Sequence, residues 1–258
     1  MILRGHTYHV QIEGSGPPLL LLHGFTGSLS TWNLLSEHLS THFTVYRLDL
    51  MGHGKTTPAS EQRMRLTQQV KDLEALLATR SEPWIVLGYS MGGRIALMLS
   101  VVSEQIARTI AVSTTPGIQT ASERKVRRAS DRKLAERLEK DGLKAFIDYW
   151  ETLGLFKPQA LLKEQQRTQL RQERMSQTVE GLSASLRAQG TGSMPSLWSC
   201  LPKEIDWIVG AEDKKFRAIA SRAASPEKIH VILHASHAPH IDQPQKFVTM
   251  VKNLLIHH

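Results

Sequence analysis

The chain has 258 residues, 41% of them hydrophobic, with one cysteine and a formal net charge of +8. Such a length can bury a large core as one α/β domain with an insertion, whereas a single cysteine, Cys200, excludes an intrachain disulfide framework and a cysteine-based metal cluster. The excess charge does not by itself indicate nucleic-acid binding, because acidic residues are interspersed with it along helical stretches such as ERKVRRASDRKLAERLEKDG, as on a solvated helix face.

The N-terminal stretch MILRGHTYHVQIEG reaches polar residues at once, which is unlike a secretory signal, and we interpret it as a strand. No apolar run approaches the roughly 18 residues that a membrane span requires. We therefore expect a soluble protein of the cytoplasm with no membrane partner and no nucleic-acid partner. The sequence carries no signal for an oligomeric state.

Short apolar segments alternate with amphipathic helical segments along most of the chain. Strands are predicted at residues 17–25, 42–50, 82–90, 106–114, 204–213 and 227–237, and a last helix at about 245–255. Strands that alternate with helices predict a mostly parallel central sheet with helices on both faces. The nearly continuous apolar character of these strands fits burial on both sides.

Residues 117–195 interrupt this alternation. They contain several helical patterns, including two amphipathic helices separated by Gly142, and no convincing strand. We interpret this segment as a helical cap inserted into an α/β core. The predicted domains are therefore a first part of the core at 1–116, the cap at 117–195 and a second part of the core at 196–258.

The stretch WIVLGYSMGGRIALML contains a G-x-S-x-G pattern centred on Ser90. The pattern alone is short, but here an apolar strand precedes the serine and a helical pattern follows it, as a nucleophile at a sharp strand-to-helix turn requires. The alternative is a glycine-rich connection without chemistry. A serine hydroxyl becomes reactive when a histidine takes its proton and a carboxylate orients that histidine.

Both partners are available downstream of Ser90. Asp213 ends the strand in DWIVGAEDKKF, and we favour it over Glu212 because it lies one residue farther into the loop. Four histidines crowd the next strand and loop: His230, His234, His237 and His240. A zinc site is disfavoured because no acidic or cysteine partner follows at ligand spacing, and His230 and His234 are interpreted as ordinary strand residues.

Five motifs, HGFTGS, DLMGHGKT, GYSMGGR, GAEDKKF and SHAPHIDQP, occur in an order that resembles the α/β-hydrolase superfamily over nearly the whole chain. Within it, the arginine of GYSMGGR, the cap stretches SERKVRRASDRKLAERLEKDGLKAFIDYW and ERMSQTVEGLSASLRAQGTGSMPSLW, and EDKKF resemble the 2-succinyl-6-hydroxy-2,4-cyclohexadiene-1-carboxylate synthases of menaquinone biosynthesis. The resemblance implies the α/β-hydrolase fold, with an inserted helical cap.

The resemblance also selects His237 as the catalytic histidine, because Asp242 and a proline follow it as in the family. His240 matches a second histidine of the subfamily. The chain departs from the family pattern at Ser236, where glycine is usual, and in DLMGHGKT at Met51 and Thr56. A residue bulkier than glycine before His237 could shift the loop that carries the histidine.

An oxyanion hole is expected from two backbone N–H groups. In this fold the residue after the nucleophile, Met91, supplies one donor, and the loop after an early strand supplies the other. LLHGFTGS is such a loop, which places the second donor at Phe25. His23 in the same loop is interpreted as structural, orienting the backbone.

Arg94 is the residue that narrows the substrate, because an arginine near a pocket usually binds a carboxylate or phosphate. The alternative is an ion pair with a structural acid. By position, Arg124 and Arg174 match cationic residues of the family's substrate site, with a solvated helix face as the alternative, and Arg127 and Arg128 are near enough to exchange with Arg124. The resemblance implies a further contact to substrate from the cap aromatic Trp150. Tyr89, beside Ser90, is expected to add a phenolic hydrogen bond to substrate, with simple packing as the alternative.

The family reaction is the elimination of pyruvate from 2-succinyl-5-enolpyruvyl-6-hydroxy-3-cyclohexene-1-carboxylate. The resemblance implies that Ser90, activated by His237 and Asp213, acts as the base, that the partner is a small polycarboxylate, and that neither a metal nor an organic cofactor takes part. Two alternatives remain open: a hydrolase of esters or carbon–carbon bonds that uses the same triad through an acyl-enzyme, and a non-catalytic binding module.

Overall fold

The computed structural model describes residues 1–256, except for the side chain of Lys157. Two short strands near the N-terminus pair with each other, and seven more form the central sheet. The strands of the described chain are β1 (Ile2–Leu3), β2 (His6–Thr7), β3 (Val10–Glu13), β4 (Pro18–Leu22), β5 (Thr44–Leu48), β6 (Trp84–Tyr89), β7 (Ile106–Val112), β8 (Ile205–Gly210) and β9 (Ile229–Ile232).

The strand order in the sheet is β3-β5-β4-β6-β7-β8-β9. β3 runs antiparallel to β5, and every other neighbouring pair is parallel, so the predicted mostly parallel sheet is confirmed. The single strand expected at the N-terminus was wrong, because the chain turns back between β1 and β2. Arg4 and Gly5 both have positive φ there (45° and 81°), a conformation that a continuous strand does not allow.

Helices cover both faces of the sheet. Because side chains alternate along a strand, Leu20 and Leu22 of β4 enter one buried cluster, and Leu19 and Leu21 enter the other. The helices are α1 (Asn33–Leu39), α2 (Glu61–Met64), α3 (Leu66–Leu77), α4 (Met91–Val102), α5 (Ala121–Glu151), α6 (Glu164–Met175), α7 (Val179–Gln189), α8 (Lys214–Ala223), α9 (Pro239–Asp242) and α10 (Pro244–Ile256).

The segment between β7 and β8 consists of α5, α6, α7 and short 3-10 turns at Gly154–Leu161 and Thr191–Ser193. α5 breaks at Gly142, where φ is +80°, and the two predicted helices are therefore confirmed. This segment has an apolar cluster of its own, and polar contacts hold it to the sheet domain. The Gln189 amide donates to the Met51 carbonyl (2.9 Å), and Glu173 accepts from the Ser28 backbone N–H (3.0 Å).

Within residues 1–256, no helix combines the length and the apolar character that crossing a bilayer would require.

Candidate active site

Ser90 lies at the sharp turn between β6 and α4, with φ +50° and ψ −101°. The turn depends on glycine, because a Cβ on Gly92 would lie 2.4 Å from the Leu22 carbonyl oxygen, and one on Gly88 would lie 2.3 Å from that of Gly92. The Thr114 hydroxyl, just after the end of β7, donates to the Ser90 carbonyl (2.7 Å) and helps to fix the turn. The sequence pattern therefore forms the strained elbow that presents a serine side chain.

Ser90, His237 and Asp213 form a continuous hydrogen-bonded chain. The Ser90 Oγ lies 3.1 Å from His237 Nε2, and His237 Nδ1 lies 2.9 Å from Asp213 Oδ2. Asp213 also caps α8, since its other carboxylate oxygen accepts from the Phe216 N–H (3.2 Å). Asp213 and His237 are buried, whereas Ser90 is partly accessible from the cavity. This is the geometry of a serine whose proton a histidine can take.

The competing candidates for the acid and the base lie elsewhere. Glu212 is exposed, and its backbone N–H binds the Ala235 carbonyl. His230 does lie on β9, where it pairs with Asp206 (3.0 Å). The placement of His234 on the strand was wrong, because β9 ends at Ile232 and His234 has φ +62° in the following turn.

His240 is buried among aromatic rings, and neither of its ring nitrogens has a hydrogen-bond partner among the described residues. Burial, and then the charge of nearby His237, lower the pKa of His240 to about 3. Within residues 1–256, no three side chains of the metal-ligating types converge as a metal site would require. The four histidines thus have four different environments.

Phe25 and Met91, whose backbone N–H groups are expected to form an oxyanion hole, both line the cavity that contains Ser90. Met91 is the first residue of α4, and the first N–H groups of a helix have no intrahelical acceptor. The Gly92 N–H donates to the His23 carbonyl (3.0 Å), which holds the start of α4 against the loop that carries Phe25. His23 itself is fully buried and accepts from the Leu50 N–H (2.9 Å), which fits its structural interpretation.

A cavity opens above Ser90 between the sheet domain and the helical segment. Its wall combines the reactive groups, cationic side chains and apolar surface. The lining residues include Phe25, Tyr89, Ser90, Met91, Arg94, Arg127, Asp131, Trp150, Phe156, Gln189, Lys215 and His237.

Arg94 carries a charge in this cavity, and no carboxylate of residues 1–256 forms an ion pair with it. Its side chain is buried, and its Nη1 donates to the Gln189 carbonyl (2.6 Å). Among the described residues, no carboxylate lies within 4.0 Å of the guanidinium nitrogens of Arg94. Asp131, which lies nearby, forms its ion pair with Arg127 (2.8 Å). Burial, and then the charge of Arg127, lower the pKa of Arg94 to about 9. An anion in the cavity would relieve this desolvated charge.

Two aromatic side chains predicted to contact substrate also line the cavity. The Trp150 ring packs against Phe25, with 5.2 Å between ring centroids, and its buried indole N–H has no partner within the described part of the chain. Tyr89 lies between His237 and His240, and burial raises the pKa of its phenol. Trp150 therefore has an unused hydrogen-bond donor, and its side chain lies in the wall of the cavity that also contains Ser90.

The other two predicted arginines do not line the cavity. Arg124 donates to the carbonyls of Ile118 (3.0 Å) and Gln119 (2.7 Å) and faces a separate groove. Arg174 is buried against Glu151 (3.0 Å) and Gln159 (2.7 Å), behind Phe156. Their expected contacts with substrate are not supported by this geometry.

Arg127 occupies the place in the cavity wall that was assigned to Arg124. Arg127, Asp131 and Leu134 line the cavity, whereas Arg124 and Arg128 lie farther round α5 and line the separate groove. Each residue turns a helix by about 100°, so Arg124 and Arg127 point in different directions. An uncertainty of a few positions in matching a helical stretch therefore exchanges a cavity residue for one outside it.

Sequence reasoning did not identify Lys215, Gln189 or Asp131 as parts of this site. Lys215 lies next to the acid in the motif EDKKF, so its proximity to Asp213 was the available signal. Gln189 and Asp131 come from α7 and α5, and nothing in their local sequence distinguishes them from other polar helix residues.

Ser236, which replaces the usual glycine, is accommodated by hydrogen bonds. Its backbone N–H and hydroxyl both lie within bonding distance of Asp242 Oδ2 (2.7 and 2.9 Å), and the hydroxyl also lies 2.9 Å from the Leu155 carbonyl. These contacts hold the loop in place, and His237 remains within reach of Ser90. The bulkier residue does not displace the histidine.

Residues 19–250 match the family described as the alpha/beta hydrolase family. The mostly parallel sheet, the elbow at Ser90 and the hydrogen bonds that join Ser90, His237 and Asp213 agree with this match. The protein belongs to the α/β-hydrolase family.

A Salmonella paratyphi C (strain RKS4594) protein named 2-succinyl-6-hydroxy-2,4-cyclohexadiene-1-carboxylate synthase is 30% identical, over 97% of this chain and 98% of its own. A Bacillus subtilis (strain 168) protein provisionally given the same name is 38% identical, over 97% of this chain and 95% of its own. A solved structure of MenH from S. aureus superposes with a TM-score of 0.88 at 28% identity, covering 97% of both chains. Within the α/β hydrolases, the chain belongs to this synthase family, whose members are pyruvate-eliminating lyases of menaquinone biosynthesis, and the resemblance seen in the sequence is confirmed.

Proposed function

We propose that this chain eliminates pyruvate from 2-succinyl-5-enolpyruvyl-6-hydroxy-3-cyclohexene-1-carboxylate, with Ser90 as the base. One observation supports the assignment of roles: Ser90, hydrogen-bonded through His237 to Asp213, shares a cavity with Arg94, which has no ion pair with a carboxylate among the described residues. A base beside an unneutralised cation suits proton abstraction from an anionic substrate.

In the proposed step, the Ser90 oxygen removes a ring proton from the substrate while its own proton passes to His237 Nε2. The electrons of the broken C–H bond form the new ring double bond, and the bond to the enolpyruvyl oxygen breaks. The proton held on the His237 imidazolium then passes to the leaving enolate, which becomes pyruvate, and the neutral Ser90–His237 pair is restored. Asp213 stabilises the imidazolium that forms in between, because it accepts from His237 Nδ1.

Negative charge develops on the substrate's conjugated carbonyl when the proton leaves. We assign its stabilisation to the backbone N–H groups of Phe25 and Met91, which are fixed before the reaction by the loop and the start of α4. Donors held in place in this way stabilise a transition state at little reorganisation cost. No covalent bond to Ser90 is required.

The carboxylates of the substrate would be bound by Arg94 and Arg127, with Trp150 donating its indole N–H. Arg94 contributes most, because Asp131 partly neutralises Arg127. Lys215 adds a cation at the rim. The segment 117–195 serves as the cap in this proposal, since its helices α5 and α7 form the roof over Ser90.

The deciding experiment compares two reactions of the purified protein: pyruvate release from the cyclohexene substrate, and hydrolysis of a simple uncharged ester. We expect rapid pyruvate release, which Ser90→Ala abolishes, and slow ester hydrolysis without a burst. Pyruvate release at the uncatalysed rate, with a burst of ester hydrolysis, would instead support the acyl-enzyme hydrolase. Cys200→Ser is a matched control, because Cys200 is exposed and lies outside the cavity.

A further inference from the structure

We propose a second anion-binding site, separate from the catalytic cavity, for a small molecule that carries two or more carboxylate or phosphate groups. The site is a groove between α5, the end of α7 and the junction of α2 and α3. Its wall holds one carboxylate, Glu61, and five arginines, here called the arginine groove: Arg65, Arg124, Arg128, Arg132 and Arg187.

Two of these guanidinium groups are held in position by neutral acceptors. Arg124 donates to the carbonyls of Ile118 and Gln119, and Arg128 donates to the carbonyl of Gly192 (2.7 Å). A guanidinium has five N–H donors, so each keeps donors for a ligand. Because backbone carbonyls carry no net charge, these contacts orient the arginines without neutralising them.

The remaining members differ in how they are paired. Arg187 forms a two-point ion pair with Glu139 (2.5 and 2.7 Å), which neutralises it. Arg65 and Arg132 have exposed side chains with no hydrogen bond or ion pair among the described residues. The other four arginines of the groove have no ion pair among the described residues. If the charge of Glu61 offsets one of them, about three positive charges remain in the groove, which favours a ligand with several negative charges.

The arginine groove is a different site from the catalytic cavity. Arg127 and Asp131 face the cavity, whereas Arg124, Arg128 and Arg132 share the adjacent face of α5. The turn at 190–192 separates the two sites. Residues 121–190 hold 15 of the chain's Lys and Arg residues against 10 Asp and Glu, and the groove collects part of that excess charge.

Guanidinium groups bind both carboxylate and phosphate in two-point geometry, so the shared chemistry is that of a multivalent oxyanion. The test is isothermal titration with inorganic pyrophosphate and, separately, with tricarballylate, each at constant ionic strength in chloride buffer. We expect saturable binding of at least one, and the stronger of the two identifies phosphate or carboxylate as the preferred group.

The informative variant is Arg65→Gln/Arg132→Gln, because neither side chain makes a structural hydrogen bond that the substitution would break. Loss of two charge-assisted contacts should weaken binding at least about tenfold. The matched control, Lys125→Gln/Lys133→Gln, removes the same charge from exposed positions of α5 outside the groove and should change binding less than about twofold.

Arg94→Gln distinguishes the groove from the catalytic cavity and should leave the groove's affinity unchanged. The proposal is overturned if neither anion binds saturably, if the two double variants weaken binding equally, or if Arg94→Gln removes binding while Arg65→Gln/Arg132→Gln does not. Because pyruvate release is not the readout, these outcomes are independent of the proposed reaction.

Discussion

The triad and the cations of the cavity differ in how the protein completes them. His237 has Ser90 on one ring nitrogen and Asp213 on the other, so its hydrogen bonds are made within the protein. Among the described residues, Arg94 has a single carbonyl partner and no carboxylate within ion-pair distance, and its side chain is buried. The hydrogen bonds of the triad are therefore formed in advance, whereas the charge of Arg94 would be neutralised only by the anionic substrate proposed above.

The largest expected effect comes from removing His237 from the hydrogen-bonded triad. His237→Ala should lower kcat for pyruvate release by about 10²–10⁴-fold, because the proton of Ser90 then has no acceptor. His240 cannot substitute, since its ring is buried against Trp32 and Tyr89. Steady-state kinetics measure the effect, and thermal unfolding checks that the variant is folded. Retention of more than a tenth of the activity would remove His237 from the mechanism.

Arg94→Met tests the role of the buried charge in the cavity, because it removes the charge of Arg94 and keeps much of the aliphatic volume. We expect kcat/KM to fall by about 10²-fold, equivalent to losing a charge-assisted contact of about 3 kcal/mol. The free energy of unfolding should not fall, because a desolvated charge is removed from the folded state. Kinetics and urea titration measure the two quantities. Marked destabilisation with unchanged kcat/KM would make Arg94 a structural residue.

A smaller effect separates the two faces of α5. Arg127→Ala should raise KM by about tenfold, because one charge-assisted contact to substrate is lost and Asp131 is left unpaired in the cavity. Arg124→Ala, on the adjacent face, should change KM by less than about twofold. Initial-rate measurements on the two single variants decide the matter, and the opposite ranking would favour the residue chosen from sequence position.

The smallest expected effect is on the pH dependence of stability, and it comes from His240, which follows His237 in the same loop. His240 is neutral when folded, with its pKa lowered to about 3 by burial, while an unfolded histidine titrates near 6.5. Between these values the unfolded chain binds more protons, so the contribution of His240 to stability is present above about pH 6.5 and is lost as the pH falls toward 3.

Within that window, protonation of His240 in the unfolded chain should lower the free energy of unfolding by about 1 kcal/mol for each unit by which the pH falls. Urea titrations at pH 7, 6 and 5 measure the slope. His240→Phe should reduce it, since phenylalanine suits the aromatic surroundings and does not titrate, whereas replacing exposed His42 by Gln should leave it unchanged. Equal slopes for the wild type and His240→Phe would show that His240 is not desolvated as the structure has it.

Features that depend on local pattern and chain order were predictable. The glycines around Ser90, the apolar strands and the helix-to-helix break at Gly142 each act through a few neighbouring residues. The order Ser90, Asp213, His237 follows from strands whose carboxyl ends meet at one edge of the sheet. The cap arginines were harder, because one position along a helix changes the direction of a side chain by about 100°.

The sequence by itself determined the fold class, the family and the three residues that are joined by hydrogen bonds at the site: Ser90, His237 and Asp213. Tertiary structure decided which arginine faces the cavity, that Arg94 has no carboxylate partner within the described part of the chain, and that Arg124 lines a separate groove. The physical reason is range. Backbone turns and strand patterns are set by adjacent residues, whereas the neutralisation of a charge depends on carboxylates that packing brings close from distant parts of the chain.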